Sequence, residues 1–317
     1  MRVLLAGATG TMGRAVLAEL GRRQIPVVAL VRSKSAPLGA LPASTILVTV
    51  DDLRAREWVK EARDCDVVIS CLASRSGAPK DAERVDFDAN RQLLQVAEAL
   101  GIRRFVLLSA ICVQKPHLAF QRQKLRFEAL LGASSVPATI VRPTAFFKSL
   151  SGQIERVRAG KPFLVFGGGE LTACKPISER DLAVFLLQQA EDESIESRVM
   201  PIGGPGPALT PLDQARLLGE LLGKPCAVRS LPPQMFDWMR WAIQPLGLIS
   251  SWAGERVEFL RIAKYYATES MLSWDARRAC YDAEATPEFG TDTLAAFYAR
   301  VLSGEEATPE RGEQTLF

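Results

Sequence analysis

Short runs of Val, Ile and Leu recur through the first half of the chain, separated by longer stretches with apolar residues every three or four positions. The runs are RVLLAG (2–7), IPVVALV (25–31), STILVTV (44–50), CDVVIS (65–70), RRFVLLS (103–109) and PATIVRP (137–143). The helical patterns fall at 11–22, 53–63, 83–100 and 121–132. A strand that is apolar along its whole length is covered on both faces, and helices between such strands make them parallel. Residues 1–150 are therefore predicted to form an α/β domain, a Rossmann-like doubly wound parallel sheet.

Beyond residue 150 the rhythm changes. GKPFLVFGGGELTACKPIS (160–178) predicts a hairpin around Gly167–Gly169, then a helix opened by Ser178-x-x-Asp181. Thr210 followed by Pro211 predicts another helix start. Residues 232–267 read as helical and carry Met235, Phe236, Trp238, Met239, Trp241, Tyr265 and Tyr266. Such density is ordinarily core, but apolar groups on more than one helical face also suit a hydrophobic ligand pocket or an interface. Residues 151–308 are expected to form a smaller, mainly helical substrate-binding region interleaved with the Rossmann core. Residues 309–317 are expected to be a loosely held tail.

Composition narrows the function classes. With 48% hydrophobic and 24% charged residues among 317, the chain is globular rather than disordered. A net charge of +3, with Lys and Arg scattered, argues against a nucleic-acid partner. Six Cys without a C-x-x-C pair read as reduced thiols, and a single His argues against a structural zinc site, so no metal is expected. The first strand pattern begins at Arg2, leaving no room for a leader, and no apolar run reaches about eighteen residues. A cytoplasmic protein is expected.

The candidate chemistry clusters at strand ends. Gly7-Ala8-Thr9-Gly10-Thr11-Met12-Gly13 is G-x-x-G-x-x-G between a strand and a helix, where backbone N–H groups can approach a pyrophosphate. Arg32 and Lys34 follow the second strand, where a cation accommodates the 2′-phosphate and so favours NADPH. Asp52, after the third strand, is placed to meet an adenine edge. Cys71, Leu72, Ala73 and Ser74, after the fourth, are placed along the adenosine. Ser109 ends the fifth strand on the nicotinamide side. Pro143 and Phe146 leave the sixth, and Phe146 and Phe147 serve either the core or a wall for a flat substrate.

In short-chain dehydrogenase/reductase proteins a Tyr-x-x-x-Lys motif follows the fifth strand. Here the spacing survives as Phe120-x-x-x-Lys124. Lys124 can still hold the nicotinamide ribose, but a phenyl ring has no proton to give.

VVISCLASRSG, LLSAICVQKPHLAFQRQKLRFEA, IVRPTAFFKSLSGQIE, CKPISERDLA, PIGGPGPALTP and YYATESML resemble the NADPH-dependent divinyl chlorophyllide 8-vinyl reductases. These form part of the atypical, NmrA-like branch of the short-chain dehydrogenases. The resemblance implies a 3,8-divinyl chlorophyllide or protochlorophyllide substrate, whose 8-vinyl group becomes ethyl. The strand ends and the Phe120–Lys124 spacing put Lys124, Ser109 and Phe120 at the expected reacting centre, with Ile111, Cys112, His117 and Phe147 on the substrate side. Trp238, Trp241 and Tyr266 of the aromatic segment are expected to contribute to the substrate walls. His117 is the chemical candidate for an axial ligand to the substrate's magnesium. Contact with a photosynthetic membrane or a pathway enzyme would suit so insoluble a substrate. The rival reading is a non-catalytic, NmrA-like redox sensor or assembly factor, which would keep the glycine loop and lose the tyrosine.

Overall fold

In a computed structural model, which describes residues 1–34, 38, 41–247 and 251–307, each of the six apolar runs becomes a strand. They are β1 (Val3–Ala6), β2 (Val27–Val31), β3 (Thr45–Thr49), β4 (Val67–Ser70), β5 (Arg104–Leu108) and β6 (Ala138–Pro143). β7 (Phe163–Phe166) lies outside this sheet and β8 (Arg198–Ile202) rejoins it, giving the order β3-β2-β1-β4-β5-β6-β8. The pairings from β1 to β6 are parallel. Every residue of β1, β4 and β5 is buried, whereas Ile46 and Leu47 on β3 stay exposed. That contrast follows from position, central against edge, and not from composition.

Helices Thr11–Arg22, Asn90–Leu100, Ala119–Gly132 and Glu179–Glu191 accompany the sheet. Leu4, Val28, Val68, Phe105 and Ile140 from the strands share a core with Leu93, Phe127 and Leu131 from the helices. The Phe105 and Phe127 rings lie 5.9 Å apart.

Two compact units divide the chain. The first holds residues 1–75, 79–143 and 179–201. The second holds 76–78, 144–178 and the chain from Ile202 onward. The chain leaves the first unit after Pro143, and Glu179–Pro201 returns to it. The return has a packing cause: helix Glu179–Glu191 lays Leu182, Phe185 and Leu186 against the sheet beside helix Thr11–Arg22.

In the second unit β7 pairs in parallel with β9 (Val228–Leu231). The hairpin expected around Gly167–Gly169 does not form. All three glycines have positive φ and turn the chain, but the residues that follow do not pair back onto β7. Helix Pro211–Leu221 starts as expected, with Thr210 accepting from the Asp213 N–H and Asp213 accepting from the Thr210 N–H. Phe147, Phe163, Leu218, Phe297 and Tyr298 form the core of this unit. Helices Met235–Gly247 and Ser251–Thr268 pack on each other around Phe236, Leu260 and Ala263. The tail at 309–317 and positions 248–250 of the aromatic segment lie outside the described residues.

Candidate cofactor and active site

The sheet reverses its order between β1 and β4, and the register pairs Ala6 with Ser70 at their carboxyl ends. That reversal opens the crevice in which doubly wound sheets bind nucleotides. Gly7 leaves β1 with φ of 81°, and a Cβ there would sit 2.7 Å from the Cys71 carbonyl. A Cβ on Gly13 would sit 2.0 Å from the Gly7 oxygen, so the helix can start this close to the strand only without a side chain. Gly10 is the N-cap of helix Thr11–Arg22, and it supplies no side-chain acceptor to the first-turn N–H groups. Backbone donors beside a turn that excludes side chains fit a pyrophosphate. Thr9 and Thr11 border this loop. Met12 is buried in the protein, so only its backbone can serve a ligand.

Arg32, Ser33 and Lys34 are exposed after β2. Ser33 donates through both its N–H and its hydroxyl to Asp51, at 2.9 and 2.7 Å. The Ser33 hydroxyl, then its N–H, hold the Asp51 carboxyl below its usual range, with smaller contributions from Lys34 and Arg32. Asp51 thus belongs to this corner and was missed in the sequence, where it reads as one of two adjacent loop acids. Asp52 accepts from the Arg54 N–H at 2.9 Å and is exposed.

Past β4, the Cys71 N–H donates to the Ala6 oxygen, prolonging the β1–β4 contact. Burial pushes the Cys71 thiol up to about 12, which leaves it protonated at neutral pH. Leu72 packs against the sheet core and Ala73 is exposed. The Ser74 N–H reaches Asp86 Oδ1 at 3.4 Å. Asp86 also pairs with the Lys124 ammonium at 2.9 Å, and both side chains are almost fully buried.

Ser109 continues β5, its N–H donating to the Val141 oxygen. Its hydroxyl donates to Glu128 Oε1 at 2.5 Å, and Glu128 is held in turn by the Arg142 guanidinium. With its proton committed to a carboxylate, Ser109 presents lone pairs to any ligand and no donor. Glu128 and Arg142 were not anticipated. Phe120 is half-buried in the first turn of helix Ala119–Gly132, one turn before Lys124. Ile111 and Cys112 are buried in a short turn after Ser109, and Gln121 donates to the Cys112 oxygen at 3.0 Å. His117 is exposed. Pro143 is buried at the end of β6.

The remaining expected residues belong to the second unit. Phe146 is half-buried and bridges to Ile177. Phe147 is 1% exposed, with the Phe297 ring 5.3 Å away, so of its two expected roles it takes the core one. Trp238 and Trp241 are 64% and 81% exposed, and Tyr266 is 43% exposed against Tyr265. Within their unit Trp238 and Trp241 face solvent instead of lining an enclosed wall.

Residues 7–193 match the model of a family described as NAD(P)H-binding. The chain is 45% identical to the chloroplastic divinyl chlorophyllide a 8-vinyl-reductase of Oryza sativa subsp. indica, over 99% of this chain and 82% of that one. The chain belongs to the divinyl chlorophyllide a 8-vinyl-reductase family. A more distant relative is the photosystem II assembly factor Ycf39 of Synechocystis, 24% identical over 76% of this chain and 73% of that protein. Among solved structures, a Bacillus cereus UDP-glucuronic acid 4-epimerase in complex with NAD is 17% identical. It superposes with a TM-score of 0.66 over 94% of this chain and 96% of that one, a likeness of fold.

Proposed function

We infer that the protein reduces the 8-vinyl group of a 3,8-divinyl chlorophyllide or protochlorophyllide to ethyl, using NADPH. The observation that carries the reading is the lack of a hydroxyl donor where a carbonyl reductase needs one. Phe120 has no hydroxyl, and the Ser109 hydroxyl is already given to Glu128. A carbonyl substrate would develop negative charge on oxygen and require such a donor. A vinyl group conjugated to a macrocycle spreads that charge over ring carbons, so its reduction asks for placement and a dry site. The 45% identity to the rice enzyme supports the same substrate.

When bound, NADPH would supply the hydride, and a proton taken up from solvent would complete the ethyl group. The chain's own residues bind and orient. Backbone donors at Gly7–Gly13 hold the pyrophosphate, and Arg32 and Lys34 answer the 2′-phosphate. Asp52 and Cys71–Ser74 lie along the adenosine, and Pro143 and Phe146 border the nicotinamide side. Lys124 holds the nicotinamide ribose, Ser109 accepts from a ligand donor, and Phe120 offers a flat apolar face to the ring system. Ile111, Cys112 and His117 follow Ser109 on the substrate side. The exposed Trp238 and Trp241 fit contact with a membrane surface, where Trp is favoured and where a chlorin partitions. No helix among the described residues is long and apolar enough to cross a membrane.

A non-catalytic assembly role is favoured by the 24% identity to Ycf39 and is equally compatible with the missing tyrosine, so the 45% identity to the reductase decides between them. Absorption spectra of divinyl chlorophyllide with the purified protein separate the two. Addition of NADPH should shift the spectrum progressively, and a static spectrum would favour the assembly role.

A further inference from the structure

Asp86 was not among the residues expected at the site, yet it is 1% exposed and its carboxylate meets the Lys124 ammonium. It sits in the middle of a π-helical segment, Glu83–Ala89, that interrupts the approach to helix Asn90–Leu100. Such widened turns displace a side chain from ordinary helical register and concentrate at functional sites. Here the widened turn is held by Asn90. Its amide donates to the Val85 and Asp86 carbonyls at 3.2 Å, and its oxygen accepts from the Ser70 hydroxyl at 2.6 Å. Ser70 is the last residue of β4, so the turn carrying Asp86 is tied to the strand end at the cofactor crevice.

The pair is poorly explained as a stabilising contact. A buried ion pair gains little over apolar packing unless its remaining polar atoms are satisfied. Asp86 Oδ2 is buried and has no hydrogen-bond partner among the described residues, while Oδ1 takes both Lys124 and the Ser74 N–H. An ammonium carries three donors, and one carboxylate oxygen occupies only one of them.

We propose that Asp86 is a positioning residue for Lys124. Its carboxylate, aimed by the Asn90-braced turn, holds the ammonium in the one direction that leaves its other N–H groups facing the nicotinamide ribose. This rests on the reading of Lys124 as the ribose anchor. Asp86 touches neither substrate nor cofactor and acts through Lys124 alone.

Asp86→Asn, Lys124→Met and the double variant test it through three quantities: the NADPH Kd from nucleotide fluorescence, kcat, and KM for divinyl chlorophyllide. Each single variant should raise the NADPH Kd about tenfold, the scale of one charge-assisted hydrogen bond. Substrate KM should stay within about twofold, a split that general loosening would not produce. The double variant should match Lys124→Met within about twofold, because the second substitution removes nothing further. Should Asp86→Asn alone fail to fold with an ammonium stranded, the double variant, which buries no charge, still carries the comparison with Lys124→Met. A multiplicative loss in the double variant overturns the proposal, because Asp86 would then act independently of Lys124. An unchanged Kd in Asp86→Asn beside a weakened Lys124→Met overturns it while leaving the Lys124 reading intact. An unchanged Kd in Lys124→Met removes the ribose anchor itself, and the role of Asp86 with it.

Discussion

At Phe120 a phenyl ring stands where a tyrosine could donate a proton, and at Ser109 the hydroxyl proton already belongs to Glu128. Phe120→Tyr should therefore leave vinyl reduction unchanged within about twofold, since the added phenol meets no developing oxyanion. A large gain in turnover in steady-state assays would show that a proton donor had been missing there. Arg32→Asp should weaken NADPH binding by about 1 to 3 kcal/mol, by removing a charge-assisted contact and adding repulsion next to Asp51. Titration with NADPH and NADH checks it, and equal losses for both would separate Arg32 from the 2′-phosphate. Ser109, Phe120 and Lys124 were legible in the sequence because their positions follow from a strand end and a helical spacing. Asp86, Glu128 and Arg142 were not. For Asp86 and Glu128, a charged residue in a helical pattern reads as solvent-facing, and only docking of the helix against neighbouring elements reveals that it is buried. Arg142, half-buried on β6, is revealed only by its pairing with Glu128.

Helix starts carry their own chemistry. Thr210 and Asp213 exchange hydrogen bonds at the first turn of helix Pro211–Leu221, and Thr210→Ala should cost about 1 kcal/mol in denaturant unfolding. The Thr210 hydroxyl, ahead of its N–H and of Arg216, lowers the Asp213 carboxyl. A group lowered in the folded state binds its proton less readily there than in the unfolded chain. Its contribution is thus present above the ordinary carboxylate value of about 4 and is lost as pH falls through the folded value. Thermal melts from neutral to about pH 2 should show a shallower acid decline for Asp213→Asn, and parallel curves would assign the acid sensitivity elsewhere. This helix start was readable because Thr-Pro at a cap acts locally. The glycine run at 167–169 misled for the converse reason: positive φ makes a turn, but whether a strand pairs after it depends on distant residues, here Val228–Leu231.

Over the whole molecule, the parallel sheet was legible because doubly covered strands announce themselves by uninterrupted apolar runs. Interleaving was expected, but not which segment returns. That residues 179–201 rejoin the first unit depends on which surface of the sheet is left for helix Glu179–Glu191, a question of packing between segments far apart in sequence. The aromatic segment was readable as apolar, and only the structure separates buried Phe236 from exposed Trp238 and Trp241. Trp238→Ser combined with Trp241→Ser should reduce co-sedimentation with anionic lipid vesicles while leaving the melting temperature nearly unchanged, because both rings face solvent in the free protein. Equal co-sedimentation would remove the membrane-facing role of this helix. Vinyl reduction itself is tested most directly by identifying the product of purified protein, NADPH and 3,8-divinyl chlorophyllide by chromatography and mass spectrometry. The predicted result is a gain of two hydrogens per molecule, confined to the 8-substituent, with one NADPH oxidised for each ethyl group formed. Recovery of unchanged divinyl substrate by folded, NADPH-binding protein, or reduction at the 3-vinyl group instead, would contradict it.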